Sequence, residues 1–166
     1  MPELRVNGIV EESIVDGPGL RFVIFTQGCP HGCPGCHNPE THSASGGYSI
    51  STEALFARFT ENPLLSGITF SGGDPFEQAA ALTGIARDVR ALGKNVVAYT
   101  GYTLEKLLGM TNENTAIAEL LGEVDLLIDG PYVQSLRDLE LQYRGSANQR
   151  ILDRDHILTA LRAKTK

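Results

Sequence analysis

Residues 21–37 read RFVIFTQGCPHGCPGCH, a short apolar segment that continues directly into a loop of glycine, proline and cysteine. The loop holds all three cysteines of the chain in the spacing C-x3-C-x2-C: Cys29, Cys33 and Cys36. A tetrahedral metal or a cubane iron–sulfur cluster normally takes four protein ligands, so three cysteines leave one position for an outside ligand. The crowded spacing favours an iron–sulfur cluster, because structural zinc usually pairs C-x2-C with a distant second pair of ligands. Zinc remains the alternative, with a fourth ligand from one of three nearby histidines: His31, His37 or His42.

The size and composition of the chain limit its fold and its partners. Its 166 residues are enough for one domain, which we expect to span residues 1–166. The net charge of −6 and the lack of a basic stripe argue against a nucleic-acid-binding surface. No apolar run is long enough to cross a membrane, and the start lacks the pattern of a secretory signal. Because an odd number of clustered cysteines makes a poor disulfide framework, we expect a cytoplasmic protein.

Apolar runs alternate with helical patterns, which is typical of an α/β protein with a largely parallel sheet. The predicted strands are residues 21–26, 67–70, 95–99 and 124–128, with a less clear strand at 149–152. The predicted helices are residues 51–62, 76–92, 103–108, 115–121 and 155–163. About four or five βα units are too few for a closed eight-stranded barrel, so we expect an open or partial barrel.

Each strong strand ends in a glycine-rich or polar turn. After the cysteine loop come Ser71–Pro75, Tyr99–Tyr102 and Asp129–Pro131. Ligand sites of parallel α/β proteins gather at the carboxyl edge of the sheet, so we expect these turns to share one face. In the second turn, Gly72 and Gly73 would let the backbone approach a ligand, and Asp74 could bind an ammonium group. The same residues also form a good turn before a helix.

Other polar segments have plainer interpretations. Residues 15–21 are typical of a tight turn, and residues 144–150 of a surface loop whose two arginines could bind carboxylates or phosphate. Apart from His37, the histidines show no evident partner, and we interpret them as surface or structural residues.

Together, the motifs resemble the radical S-adenosylmethionine (SAM) superfamily, whose mark is C-x3-C-x2-C after the first strand. Within it, DGPGLR at 16–21, Gly28-Cys29 and CHNP at 36–39 are similar to the opening signature of glycyl-radical-enzyme activating proteins. The narrower resemblance is to proteins that activate anaerobic (class III) ribonucleotide reductase. It is carried by CPGC at 33–36, SGGDP at 71–75, TGY at 100–102, IDG at 128–130 and RGSANQR at 144–150.

The chain departs from the superfamily pattern at two positions. Gly35 stands where an aromatic residue is usual, and Asp74 stands where the motif usually ends in Glu. Both departures fit the reductase-activating subgroup. The chain also lacks the ferredoxin-like cysteine insert of some other activating proteins, which favours a minimal member.

The resemblance implies a fold, cofactors and partners. The fold would be α/β, a partial (open) parallel βα barrel of the radical SAM type. A 4Fe-4S cluster held by the three cysteines would bind SAM at its fourth iron. An electron from a flavodoxin-type donor would reach the cluster and cleave SAM to methionine and a 5′-deoxyadenosyl radical. The resulting radical would take a hydrogen from a glycine of anaerobic ribonucleoside-triphosphate reductase. Backbone around Gly35, Cys36 and His37 would lie beside the adenine, and the methionine end would be held by Gly72, Gly73 and Asp74.

Three alternatives stay open at this point. The first is a radical SAM enzyme with another substrate, such as a formate-lyase-type glycyl-radical enzyme or a small deazapurine precursor. The second is an electron-transfer iron–sulfur protein without catalysis. The third is a zinc-binding interaction module.

Overall fold

A computed structural model describes residues 2–36, 39–138 and 140–164 of the chain. Seven strands form one sheet in the order β3-β1-β2-β4-β5-β6-β7. The strands are β1 Glu3–Ser13, β2 Arg21–Thr26, β3 Tyr48–Ser51, β4 Gly67–Gly72, β5 Asn95–Tyr99, β6 Leu126–Asp129 and β7 Arg150–Asp153. The helices are α1 Thr52–Thr60, α2 Ala79–Ala91, α3 Leu104–Met110, α4 Thr115–Leu121 and α5 Arg154–Lys164.

The centre of the sheet is parallel and its margins are antiparallel. Strands β2, β4, β5 and β6 pair in parallel, in the order in which they occur in the chain. Right-handed crossovers between strands in unbroken order place the connecting helices on one face of the sheet. The helix contacts agree, because α1 packs against α2, α2 against α4 and α4 against α5. The predicted α/β class with a parallel-rich sheet is confirmed.

The sheet has two free edges in the part of the chain that the structure describes. Strand β3 pairs with β1, strand β7 pairs with β6, and no pairing joins β3 to β7. Whether the sheet curves into a partial barrel stays a prediction.

The two faces of the parallel strands differ in chemistry, because successive side chains point to opposite faces. On the helix side, the strands bury apolar residues in the main core: Phe22, Ile24, Ile68, Phe70, Val96, Ala98 and Leu127. The alternate positions on the other face include Phe25, Ser71 and Tyr99, which line a cavity. Arg21 also lies on that side, where its Nε donates to Thr69 Oγ1 at 2.7 Å. The helix side therefore forms the main core, whereas the other side combines buried Val23 and Val97 with the polar groups beside the cavity.

Local capping explains where the helices begin. Ser51 accepts the Ala54 N–H at the start of α1, and Thr103 accepts the Lys106 N–H at the start of α3. Asn114 caps α4 in the same way through the Ala116 N–H. A hydroxyl or amide oxygen at this position satisfies a backbone donor that the helix itself cannot pair. These caps fix the helices close to their predicted bounds.

The sequence did not predict two marginal strands, β1 and β3. Leu4 and Val6 of β1 are buried in alternation, but the pairing register with β2 shifts between Val6 and Gly8. Such a bulge breaks the alternation that reveals a strand in sequence. The strand at 21–26, predicted as the first, is therefore the second strand of the chain.

The predicted helix at 76–92 begins instead with a 3₁₀ turn, Pro75–Gln78, and continues as α2. Within the described ranges, none of the helices has the length and apolar character needed to cross a membrane.

Candidate metal centre

The cysteine loop is closed at its base by backbone hydrogen bonds. The Gly28 N–H donates to the Thr41 carbonyl at 2.7 Å, and the Cys29 N–H donates to the His42 carbonyl at 3.1 Å. Inside this closure, the Gln27 amide donates to the carbonyls of Glu40 and Ser43. Gln27 is almost fully buried. The ends of the loop are thus fixed to the carboxyl end of β2, although sequence reasoning gave Gln27 no role.

A tight turn shapes the second half of the loop. The Cys36 N–H donates to the Cys33 carbonyl at 3.1 Å, with Pro34 and Gly35 between them. Gly35 has a φ of 74°, which the third position of a type II turn requires, and proline suits the second position. A Cβ on Gly35 would also come within 2.8 Å of the Gln134 side chain. Glycine therefore replaces the usual aromatic residue here for two steric reasons.

The three cysteines are partly buried thiols that form no disulfide with one another. Burial raises the pKa of Cys29 to about 11, and nearby Asp74, Cys33 and Cys36 add to the rise. The electrostatic influence of Cys33 and Cys36 on Cys29 indicates that the three thiols lie near one another. Across residues 2–36, 39–138 and 140–164, however, no three His, Cys, Asp or Glu side chains are already gathered as metal ligands.

The turn after β4 packs directly against the start of the cysteine loop. The Gly73 N–H donates to the Thr26 carbonyl and the Asp74 N–H donates to the Gly28 carbonyl, both at 2.9 Å. A Cβ on Gly73 would come within 2.4 Å of the Gly28 oxygen, and one on Gly72 within 2.5 Å of the Thr26 nitrogen. Both glycines are therefore required for contact between the two turns. The prediction that they also approach a ligand remains untested.

Asp74 is a buried carboxylate with several donors. Oδ2 accepts from the Thr100 hydroxyl and from the Gly101 N–H, each at 2.9 Å. Oδ1 accepts from the Phe76 N–H at 3.1 Å. His31 Nε2 lies 2.6 Å from Oδ2. The turns after β2, β4 and β5 thus meet at this carboxylate, as predicted for the carboxyl edge of the sheet.

His31 is a correction to the sequence analysis, which left it without a partner. Besides Asp74, its ring meets Tyr102 edge-on at 4.4 Å between ring centroids. The Tyr102 hydroxyl in turn donates to Glu77. Burial and this Glu77 hydrogen bond raise the pKa of Tyr102 well above its ordinary value. No local sequence signal pairs His31 with a residue 43 positions away.

The turn at 144–150 joins the site through the end of β6. The Gln149 side chain accepts the N–H groups of Gly145 and Ser146 and donates to the Gly130 carbonyl. Arg150 forms ion pairs with buried Asp129 and with Glu105. Arg150 therefore binds two carboxylates of the protein itself, so the expectation of a plain surface loop is wrong for this residue. The Nε atom of Arg144 is buried without a hydrogen-bond partner.

A cavity of about 380 Å³ lies on the face of the sheet opposite the helices. It brings together residues from the cysteine loop, two strand ends and the 144–150 turn: Cys36, Gly72, Tyr99, Tyr143, Arg144 and Gln149. Of the predicted cofactor-binding residues, Cys36 and Gly72 line this cavity, whereas His37 lies outside the described residues. The size suits a small organic ligand.

Comparison with known proteins connects this site to a family. A model of the 4Fe-4S single cluster domain matches residues 15–152. The anaerobic ribonucleoside-triphosphate reductase-activating protein of Salmonella typhi is 34% identical over 154 residues, or 88% of this chain and 96% of that protein. The same-named protein of Escherichia coli K12 is 33% identical over 150 residues, 82% of this chain and 90% of the relative. The chain belongs to the family of anaerobic ribonucleoside-triphosphate reductase-activating proteins.

The family of activating proteins extends to a virus and confirms the narrower of the two resemblances drawn from the sequence. The activating protein of Enterobacteria phage T4 is 34% identical over 143 residues, 82% of this chain and 86% of its own. Among solved structures, Escherichia coli QueE has a TM-score of 0.48 at 18% identity, covering 61% of this chain and 54% of that one. That likeness is too slight to bear on the fold.

The donor chemistry of an activating protein's cluster is present in this loop. Three partly buried cysteines lie in one loop and the sequence contains no other cysteine, so thiolate ligands can come only from this loop. The base of the loop is fixed by backbone bonds, while Cys33 and Cys36 lie in a tight turn within it. The chemistry of these three thiols fits the ligand set of a 4Fe-4S cluster.

Proposed function

We propose that this protein is a radical SAM activating enzyme that generates the glycyl radical of anaerobic ribonucleoside-triphosphate reductase. The family assignment carries the proposal, together with three cysteine thiols in the loop at the carboxyl edge of a parallel sheet. When bound, a reduced 4Fe-4S cluster supplies the electron that cleaves SAM to methionine and a 5′-deoxyadenosyl radical, which takes hydrogen from the reductase glycine.

The chain's own part is to bind and position. Cys29, Cys33 and Cys36 would hold the cluster, and because the chain has no fourth cysteine, a coordination position would remain for the amino and carboxylate groups of SAM. Their thiols must lose protons to become ligands. Burial raises the pKa of Cys29 to about 11, so the metal-free folded protein favours the protonated thiol at this position.

The two glycine-rich turns would hold the ends of SAM. Backbone around Gly35, Cys36 and His37 would lie beside the adenine, and Gly72, Gly73 and Asp74 would hold the methionine end. The presence of Cys36 and Gly72 in one cavity supports this arrangement. Both oxygens of Asp74 already accept hydrogen bonds, so the backbone of that turn is the part left to meet SAM.

The same reasoning covers the fold and the partners. We propose that the whole chain works as one domain whose sheet curves as a partial barrel, with its cavity face open to the glycine loop of the reductase. The helix packing supports this view, because within the described residues α1, α2 and α4 lie on the face of the sheet opposite the cavity. A flavodoxin-type protein would supply the electron. The reaction belongs in the reducing cytoplasm, where thiols stay free to bind iron.

The experiment is cluster reconstitution under anaerobic conditions, followed by reduction, addition of SAM and measurement of 5′-deoxyadenosine. We expect about four irons per chain and 5′-deoxyadenosine that depends on the reductant. Iron binding without SAM cleavage would indicate an electron-transfer protein instead. Zinc in the anaerobically purified protein, without iron or sulfide, would indicate an interaction module.

A further inference from the structure

His31 belongs to the cysteine loop, but its side chain forms a hydrogen bond with a residue outside the loop, Asp74. Its side chain is 15% exposed, and Nε2 lies 2.6 Å from the Oδ2 atom of Asp74, which is fully buried. A carboxylate oxygen accepts only, so the ring N–H is the donor. The loop is therefore attached at its middle as well as at its base, where Gly28 and Cys29 bond to Thr41 and His42.

Asp74 is a fixed point because several elements hold it. Thr100 and Gly101, after β5, donate to its carboxylate, and so does the backbone of Phe76. Its own N–H donates to Gly28. Buried polar groups with this many satisfied bonds rigidify their surroundings. A side chain bonded to Asp74 is thus bonded to the ends of two neighbouring strands.

The space around the His31 ring is shaped for it. A Cβ on Gly101 would come within 2.4 Å of His31 Cδ2 and 2.7 Å of Nε2. Gly101 is not among the glycines with positive φ, so alanine can adopt its backbone conformation. Glycine at 101 therefore serves to admit the imidazole. Tyr102 closes the other side of the ring.

We propose that His31 is a positioning residue that fixes the cysteine loop against the turns after β4 and β5. The His31–Asp74 bond sets one placement of the cysteines relative to Gly72 and Gly73, the residues proposed to meet SAM. This gives the Asp74 carboxylate a role in placing the loop, distinct from contact with SAM. The inference rests on the proposed function only in taking the loop as the holder of the cluster.

The first test measures thiol reactivity in the metal-free protein, where neither cluster nor SAM takes part. His31→Phe keeps a ring beside Tyr102 and removes the donor, so we expect the cysteines to react with a disulfide reagent about tenfold faster. His31→Gln returns an N–H donor and should bring the rate back toward that of the wild type. His156→Phe, at an exposed position of α5, is the matched control and should leave the rate unchanged.

The second test acts from the other side of the contact. Gly101→Ala should displace the imidazole and raise the thiol rates as His31→Phe does. Gly109→Ala is its control, because a Cβ at Gly109 meets nothing within 4 Å. In a His31→Ala background, Gly101→Ala should add less than about twofold, since the clashing ring is gone. Equal effects of Gly101→Ala in both backgrounds would overturn the contact as the cause.

The third test reads the placement of the cluster. In the reconstituted and reduced protein, we expect His31→Phe to keep its iron but to lose most of the change that SAM causes in the cluster's EPR spectrum. Faster thiol reaction with an unchanged SAM response would mean that His31 only stabilises the loop, and would overturn its positioning role. Wild-type values in both measurements would overturn the proposal entirely. If the thiol results hold while the wild-type protein fails to cleave SAM, the proposed function fails and the loop attachment stands.

Discussion

Alternate residues of the same parallel strands point to opposite faces of the sheet, and the two sets have different roles. Toward the helices, Phe22, Ile24 and Phe70 are buried in the apolar core. Toward the cavity, Phe25, Ser71 and Tyr99 are only partly buried. The comparison teaches that stability and chemistry are separated across one sheet, so each can be disturbed with little effect on the other.

Loss of one cysteine should give the largest effect on chemistry. We expect Cys33→Ala to abolish both cluster assembly and SAM cleavage, because two cysteines cannot hold a site-differentiated cluster. Cys33 is a partly buried loop residue, so the free energy of unfolding of the metal-free variant should lie within about 0.5 kcal/mol of the wild-type value. Iron content, 5′-deoxyadenosine yield and denaturant unfolding measure the three quantities. Remaining SAM cleavage would contradict the ligand assignment.

Two phenylalanines on opposite faces should give a large difference in stability. Phe70→Ala empties a fully buried position and should lower the free energy of unfolding by about 3–5 kcal/mol. Phe25→Ala, at a partly exposed position beside the cavity, should cost about 1 kcal/mol. Urea unfolding of the metal-free proteins gives both values. Equal losses in the free energy of unfolding would contradict the view that the helix-side face supplies most of the stability.

The pH dependence of the metal-free protein should report on Cys29. Burial raises the pKa of this thiol to about 11, whereas the unfolded chain ionises near the ordinary value of 9.0. The folded state then binds more protons between these values, so stability is full below pH 9 and falls as the pH rises toward 11. Cys29→Ala should flatten this part of the stability curve. A curve that the substitution leaves unchanged would show that Cys29 is not the group responsible.

The smallest effect is expected at the rim of the site. Arg150 lowers the pKa of Glu105 to about 2, so this pair contributes above pH 4.5 and is lost as the pH falls toward 2. Glu105 is largely exposed, and exposed pairs contribute little. We expect Glu105→Gln to leave the melting temperature and SAM cleavage nearly unchanged at pH 7. A large loss of activity would mean that Arg150 needs both of its carboxylate partners.

Much of the site could be predicted because its signals are local. The cysteine spacing, the Gly72–Asp74 turn and the apolar strands each lie in one short stretch of sequence. Strands at 21–26 and 95–99 match the structure residue for residue. The alternation of Phe22, Ile24 and their neighbours needs no partner to be recognised.

The remainder depends on contacts between distant residues. Strand β1 pairs with β2 and β3, and a bulge shifts its register with β2. Its sequence therefore lacks the regular alternation of apolar and polar residues that would reveal a strand. The bond from His31 to Asp74 spans 43 positions, and the role of Gly101 follows only from the ring beside it. The sequence predicted a SAM contact for Asp74 and no partner for His31, a surface or structural residue, because neither residue has a local sequence signal of the other.

The central claim is that this chain makes a glycyl radical on its reductase. The most direct measurement incubates the reduced, reconstituted protein with SAM and anaerobic ribonucleoside-triphosphate reductase from the same organism, and records the EPR spectrum of the reductase. We expect a glycyl-radical signal that requires SAM and disappears with Cys33→Ala. SAM cleavage without any glycyl radical on the reductase would contradict it.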